Sequence, residues 1–336
     1  MDITQVKQLI IDIRKAAGDY IDVEVPVGSV DVTAGGRLTF GGVVYAFTSH
    51  SYRQWCARLG IPARFAQKLP HGEGVRASQQ AVFDHLKANV VGDTVVRLDR
   101  AKKIVRAVLP ARYQVFDNDE VLTRLLPFMK ETGMVIEDMV HHDGNLNARI
   151  LHPSTAAIGK LPDGSPDVHK FGYVIRNSEI GVLSDVRAEF LVYRNACTNG
   201  MVFSSALLGQ RKKQSLLSCS HLSKTEMDLA ADLEVSFHRF ETMVPRAQTA
   251  LSDAQGVVLG REDADVELNR VLDDVNMTSR FDEAVVRELR REPVFTRFGI
   301  AQALTAAARE LKGRARLLVE ATAGNYILTK PKKSSK

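Results

Sequence analysis

Cysteine and tryptophan are scarce in this chain: three cysteines, Cys56, Cys197 and Cys219, and one tryptophan among 336 residues. The cysteines lie far apart with no CxxC pair, so neither a disulfide framework nor a zinc knuckle is indicated, and buried free thiols are expected. No apolar run approaches the roughly eighteen residues that a membrane span needs, and the opening MDITQVKQLIIDIRKAAGD reads as an amphipathic helix of mixed charge rather than a signal peptide. These absences predict a cytoplasmic protein with no membrane partner. Neither GxxxxGK[ST] nor GxGxxG occurs, and the Gly-rich stretches at 35–42 fall between short strands where turns are required anyway. Nucleotide hydrolysis is therefore disfavoured and no cofactor is expected.

What is present is an ordinary globular composition, 45% hydrophobic and 25% charged, enough for one large domain or two moderate ones. The net charge of +5 is unevenly spread. Residues 94–213 carry 17 basic against 13 acidic side chains, 214–329 carry 14 against 18, and 330–336 hold four lysines and no acid. The Lys-rich tail 330–336, expected to be disordered, thus supplies most of the excess. A basic middle and an acidic C-terminal third remain, which favours an anionic partner for the middle.

Periodicity predicts an α+β fold: a β-rich antiparallel body with flanking helices over 1–210, then a helical region over 211–329 that is either a second domain or a layer packed on the sheet. After the first helix, β-prone pieces at 21–25, 29–33, 37–40 and 43–47 read as a small meander. Two short helices follow, with Gly60 as a C-cap and Pro62 opening the second, and then a helix over 73–89. The clearest hairpin is 94–99 with 103–109; a helix spans 117–131, and 134–139 pairs with 145–151 across HHDGN. Residues 154–168, rich in Gly, Pro, Ser and Asp, read as the best candidate loop inside the β-rich region, open to a functional role. At 185–193, Val186, Ala188, Phe190 and Val192 alternate with Asp185, Arg187, Glu189, Leu191 and Tyr193, the pattern of a half-buried antiparallel strand. Asn177-Ser178 and Asn199-Gly200 read as turns. Ser223 and Glu226 form a capping box for one long helix reaching Leu251, followed by two or three more.

Candidate nucleic-acid contacts centre on the hairpin TVVRLDRAKKIVRAVLPARY. There Arg97 and Arg106 share a face, Arg100, Lys102 and Lys103 crowd the turn, and Arg112 precedes Tyr113. A basic β surface tracks phosphates while a neighbouring aromatic stacks on bases. The alternative is a solvated hairpin with an unused charged face. Arg211, Lys212 and Lys213 form a second cluster, read more readily as a solvated connector. Arg176 and Arg194, flanked by Asn177, Ser178, Asn195 and Asn199, are further phosphate-contact candidates, although the asparagines read first as structural. A metal-dependent nuclease would draw on His141, His142, Asp143, His152, His169 and Asp185, yet neither HExxH nor a paired-carboxylate motif is present, so no metal site is assigned. Cys197 reads as packing, not as a nucleophile.

RYQVFDNDE at 112–120, RNSEIG at 176–181, RNACTNGM at 194–201, and GIAQALTAAA with ATAG between 299 and 324 together resemble the phage- and plasmid-encoded family catalogued as domain of unknown function 932. Their order and spacing carry the resemblance over most of the chain. It implies a mobile-element protein of a bacterial host, encoded beside replication or recombination functions and with no established activity. Its β-rich body and helical C-terminus are similar, at the level of architecture only, to phage single-strand annealing proteins of the RecT and Red-beta type. The expected function is non-enzymatic binding and annealing of single-stranded DNA by a homo-oligomer, with other phage or host replication proteins as further partners. Two alternatives stand beside it: a structural or host-interaction protein of the mobile element, and a metal-dependent DNA-processing enzyme.

Overall fold

Helix α1 (Ile3–Ala17) begins at a capping box, in which the Asp2 carboxylate accepts from the Gln5 amide and the Gln5 side chain accepts from the Asp2 amide in return. Its buried stripe, Val6, Ile10 and Ile13, packs on α5 (Asn118–Thr132). The computed structural model describes residues 1–33, 37–69, 76–161, 163–183, 185–196, 198–204, 217–221, 226–291 and 295–329. Among these residues the fold is α+β, with two sheets.

The first sheet holds β1 (Tyr20–Pro26), β2 (Asp31–Thr33), β3 (Arg37–Phe40), β4 (Val43–Phe47), β5 (Asp93–Asp99) and β6 (Ile104–Pro110), in the order β1-β5-β6-β4-β3-β2. Only part of the expected meander forms. Strands β2 to β4 follow one another, but β1 lies across the sheet against β5, and β4 meets β6 in parallel. The β5–β6 hairpin matches its expected extent. Helices α2 (Ser49–Arg58), α3 (Ala63–Lys68) and α4 (Arg76–Asn89) enclose a core of Trp55, Phe83, Leu98 and Val105. Gly60, at φ +72°, supplies the left-handed residue just past α2.

In the second sheet, β7 (Val135–His142), β8 (Asn145–Lys160), β9 (Pro166–Ser178), β10 (Asp185–Arg194) and β11 (Asn199–Phe203) lie in the order β11-β10-β9-β8-β7, and β12 (Leu217–Ser220) also pairs with β10. The loop expected at 154–168 is corrected: β8 and β9 run through most of it as one antiparallel hairpin, β8 ending at Lys160 and β9 opening at Pro166. The Gly, Pro, Ser and Asp residues that give the stretch its loop-like composition are concentrated between Gly159 and Asp167, where β8 ends and β9 begins.

Six helices follow among the described residues: α6 (Glu226–His238), α7 (Phe240–Gly256), α8 (Arg261–Val275), α9 (Ser279–Leu289), α10 (Arg297–Ala307) and α11 (Gly313–Leu328). The single long helix expected to reach Leu251 breaks at Arg239, so that Phe237 and Phe240 both turn onto Tyr173 of β9. Ser223 lies outside the described residues. One apolar core unites α1, α5, the second sheet and these helices, which makes the helical region a layer on that sheet. On β10, Val186, Ala188, Phe190 and Val192 face this core as expected, but Leu191 and Tyr193 on the other face are buried too, against Val174, Val202 and Leu317 of α11. No helix among the described residues is long and apolar enough to cross a membrane.

Candidate nucleic-acid interface

The sequence pieces at 112–120 and 176–181 meet where the two sheets join. Asn177 donates through Nδ2 to the Phe116 carbonyl (2.7 Å) and to Asn118 Oδ1 (2.9 Å), and Tyr113 Oη donates to the Ser178 carbonyl at 2.9 Å. The Ile180 carbonyl accepts from His50 and Gln54 of α2. Arg97 and Arg106 close this seam. Arg97 is 3% exposed, with Nε 2.9 Å from Asp22, Nη2 2.7 Å from Asp117 and Nη1 3.9 Å from Glu179; Arg106 Nη1 lies 3.3 Å from Glu179. Burial by itself would lower the Arg97 pKa, but Asp117 and Asp22 more than reverse that, so the guanidinium stays charged. The face on which Arg97 and Arg106 were expected to meet phosphates is thus occupied by carboxylates and closed to solvent. Tyr113 is also buried, stacked on His221 with ring centroids 4.6 Å apart, and is not an exposed platform for a base.

A second seam joins the pieces at 194–201 and 299–324. Buried Arg194 forms an ion pair with Asp167 at 2.8 Å. Asn199 Nδ2 donates to Gln302 Oε1 (3.1 Å) and Thr305 Oγ1 (2.6 Å) of α10. The turn expected at Asn199-Gly200 is corrected: both residues open β11, and the left-handed residue is Thr198 at φ +51°. Gly200 packs closely on β10, because a Cβ there would lie 2.7 Å from Leu191 Cδ1 and that side chain would have to shift to admit it. Asn177 and Ser178 likewise end β9 rather than forming a turn. Arg176 is half-buried and paired with Glu189 of the neighbouring strand. Four of the expected phosphate contacts, Arg97, Arg106, Arg176 and Arg194, are therefore engaged inside the molecule. Arg211, Lys212, Lys213 and Cys197 lie outside the described residues.

Arg100, Lys102, Lys103 and Arg112 remain on the surface. Lys102 Nζ stands 3.5 Å from Asp99 Oδ2, and Lys103 takes a left-handed φ of +53° in the hairpin turn. At the opposite end of β6, Arg112 stands beside Arg58, in the last turn of α2. The Arg58 pKa is lowered, first by partial burial and then by repulsion from Arg112. Neither guanidinium has an ion-pair or hydrogen-bond partner among the described residues. Sequence reading passed over Arg58 because nothing in the helical pattern of α2 shows that its last turn ends beside residue 112.

A polar cleft of about 390 Å³ lies where the second sheet meets the start of α11, lined by Glu137, Asp138, Arg149, Tyr193, Thr198, Arg309 and Arg316. Arg149 is 4% exposed and its Nη2 lies 2.8 Å from both Glu320 carboxylate oxygens, while Arg316 Nε donates to Glu320 at 3.0 Å. Arg149 Nη1 is buried without an acceptor among the described residues. The only early sign of this site is that the stretch opening α11 is basic and carries no acid in its first turn.

His141 and His142 end β7, and Asp143 (φ +49°) with Gly144 (φ +73°) makes the tight turn into β8. His169 is buried against Phe298, His152 bonds Ser154, and Asp185 pairs with Arg187. Among the described residues no three His, Cys, Asp or Glu side chains are grouped to hold a metal ion. Cys56 and Cys219 are buried free thiols. No family model, no curated protein and no solved structure matches this chain.

Proposed function

We propose that this chain is a non-enzymatic nucleic-acid-binding protein of a phage or plasmid, which holds single-stranded DNA and promotes annealing in recombination or replication as a homo-oligomer. The observation that supports this reading is the Arg58–Arg112 pair, two guanidiniums close enough to repel each other, one of them partly stripped of water, and neither with an ion-pair partner among the described residues. Like charges held together at the end of a rigid sheet repel unless a polyanion lies across them, and Arg is the side chain best shaped to take phosphate oxygens in pairs. Arg100, Lys102 and Lys103 add exposed charge at the other end of the same hairpin. A strand passing over the surface from one end of the β5–β6 hairpin to the other would meet cations at both ends, leaving bases outward for pairing.

The test is binding of a fluorescent single-stranded oligonucleotide over a salt series, using a chain ending at Thr329 so that the lysine tail does not contribute. Each phosphate contact steepens the dependence of log K on log salt by about 0.7 for a single strand. Arg58→Ala with Arg112→Ala is therefore expected to weaken binding and flatten the slope by about 1.4. Affinity that ignores salt, or a double variant that binds like the parent, would turn the assignment toward a structural or host-interaction protein.

A further inference from the structure

We propose that the cleft at the start of α11 is a second, separate site, which binds the phosphomonoester of a nucleotide, either a free nucleoside monophosphate or the 5′-phosphorylated end of a strand. Three arginines reach it from distant parts of the chain: Arg149 from β8, Arg309 from the 3₁₀ turn Ala308–Glu310, and Arg316 from α11. Arg149 is the telling member. Its Nη2 is satisfied by Glu320, a carboxylate it shares with Arg316, so the two guanidiniums carry one charge more than that acid neutralises, and its Nη1 is buried beside Gly200 with no acceptor among the described residues.

The helix end adds an independent argument. Lys312 stands at the N-cap of α11 and makes no side-chain capping bond, and Arg314 and Arg316 follow with no acid in the first turn. Cations at a helix N-terminus oppose the helix dipole, whose free amide groups favour an anion there. Across the cleft, Thr198 holds a left-handed φ of +51°, a strained conformation for a β-branched residue of the kind that gathers at ligand sites.

Glu137 and Asp138 on the β7 wall select the class of ligand. Asp138 Oδ2 stands 3.9 Å from Arg149 Nε and its side chain is 55% exposed, so it offsets part of the arginine charge without closing the cleft. Those carboxylates accept hydrogen bonds, which disfavours a bare polyanion and favours a molecule that is anionic at one end and a donor of O–H or N–H groups at the other. A nucleotide is such a molecule: its phosphate faces the arginines, and its sugar hydroxyls or base amino group face the acids. The cleft volume lies in the range of small-ligand sites.

The test is calorimetric titration of the full chain with cytidine and adenosine 5′-monophosphates, and with the corresponding nucleosides. Alongside it, 3′-labelled single-stranded oligonucleotides are compared with a 5′-phosphate and with a 5′-hydroxyl. Arg309→Ala is the informative variant because Arg309 is exposed, whereas removing Arg149 would strand Glu320 in the interior and risk unfolding. Binding of a monophosphate that the nucleoside lacks, weakened about ten- to hundredfold by Arg309→Ala, is the expected result. The tighter of the free nucleotide and the 5′-phosphorylated strand then identifies the source of the phosphate. Equal affinity in parent and variant, or for nucleoside and nucleotide, would overturn the site. Salt-dependent binding of the 5′-hydroxyl strand without any monophosphate binding would overturn the cleft site and leave the function proposed for the Arg58–Arg112 surface standing; the reverse pattern would support the cleft and count against that function.

Discussion

Arg97 and Arg112 belong to one hairpin stretch and carry the same charge, yet they do opposite work. Arg97 points into the junction of the sheets and holds Asp22, Asp117 and the Glu179 region together; Arg112 stands in water beside Arg58. Removing one member of a buried charge cluster leaves the others unpaired, so Arg97→Ala is expected to lose about 3–5 kcal/mol of stability. Arg112→Ala removes an exposed charge that already feels repulsion and should stay within about 0.5 kcal/mol of the parent. Urea denaturation of the two variants checks this, and equal losses would contradict the burial assigned to Arg97. Side-chain alternation along β5 reveals that Arg97 lies opposite Val96 and Leu98, but not whether its own face meets water or another sheet. That difference turns a plausible phosphate ligand into an internal tie.

Between elements, the docking of α11 on β11 depends on Gly324. A Cβ at that position would overlap the Val202 carbonyl, so the helix lies against the strand only because the residue is glycine. Helix propensity alone would make Gly324→Ala stabilising by about 1 kcal/mol. The contact reverses the sign, and a loss of about 3 kcal/mol is expected in a denaturation experiment; a gain would show that the helix is not seated this closely. The same seam predicts that Asn199→Ala loses about 1–3 kcal/mol, because Gln302 and Thr305 are left buried with fewer partners. Affinity per folded molecule for the single strand should not change, which separates the structural role of Asn199 from a phosphate-binding one.

For the whole molecule, pH acts through histidines enclosed by several elements. His169 and His221 are buried, and burial lowers the pKa of each, with partial compensation from Asp167 for His169 and from the Gln114 carbonyl for His221. The unfolded chain therefore takes up these protons below about pH 6.5 while the folded chain does not, so stability falls as pH drops below that point. Each histidine contributes a slope of up to about 1.4 kcal/mol per pH unit between its unfolded and folded pKa values. The melting temperature should accordingly decline from pH 7 to pH 5, as followed by circular dichroism. A constant or rising melting temperature over that interval would mean that the two rings accept protons without opening the fold.

The α+β class, the β5–β6 and β7–β8 hairpins, the helices at 3–17 and 118–132 and the buried face of β10 are legible in the chain itself, because each follows from a local period of apolar residues and from turn chemistry such as Asp143-Gly144. Most of the candidate site is not. Arg58 and Arg112 are adjacent only because α2 lies along β6, and Arg149, Arg309 and Arg316 converge only because α11 seats on the second sheet. Partnership among charges decided the rest, withdrawing Arg97, Arg106, Arg176 and Arg194 into ion pairs with residues remote in sequence or on a neighbouring strand. Periodicity reports which side of an element avoids water. What covers the other side, and which carboxylate reaches a given arginine, is set by long-range packing, and that packing determines which cations remain free to meet a phosphate.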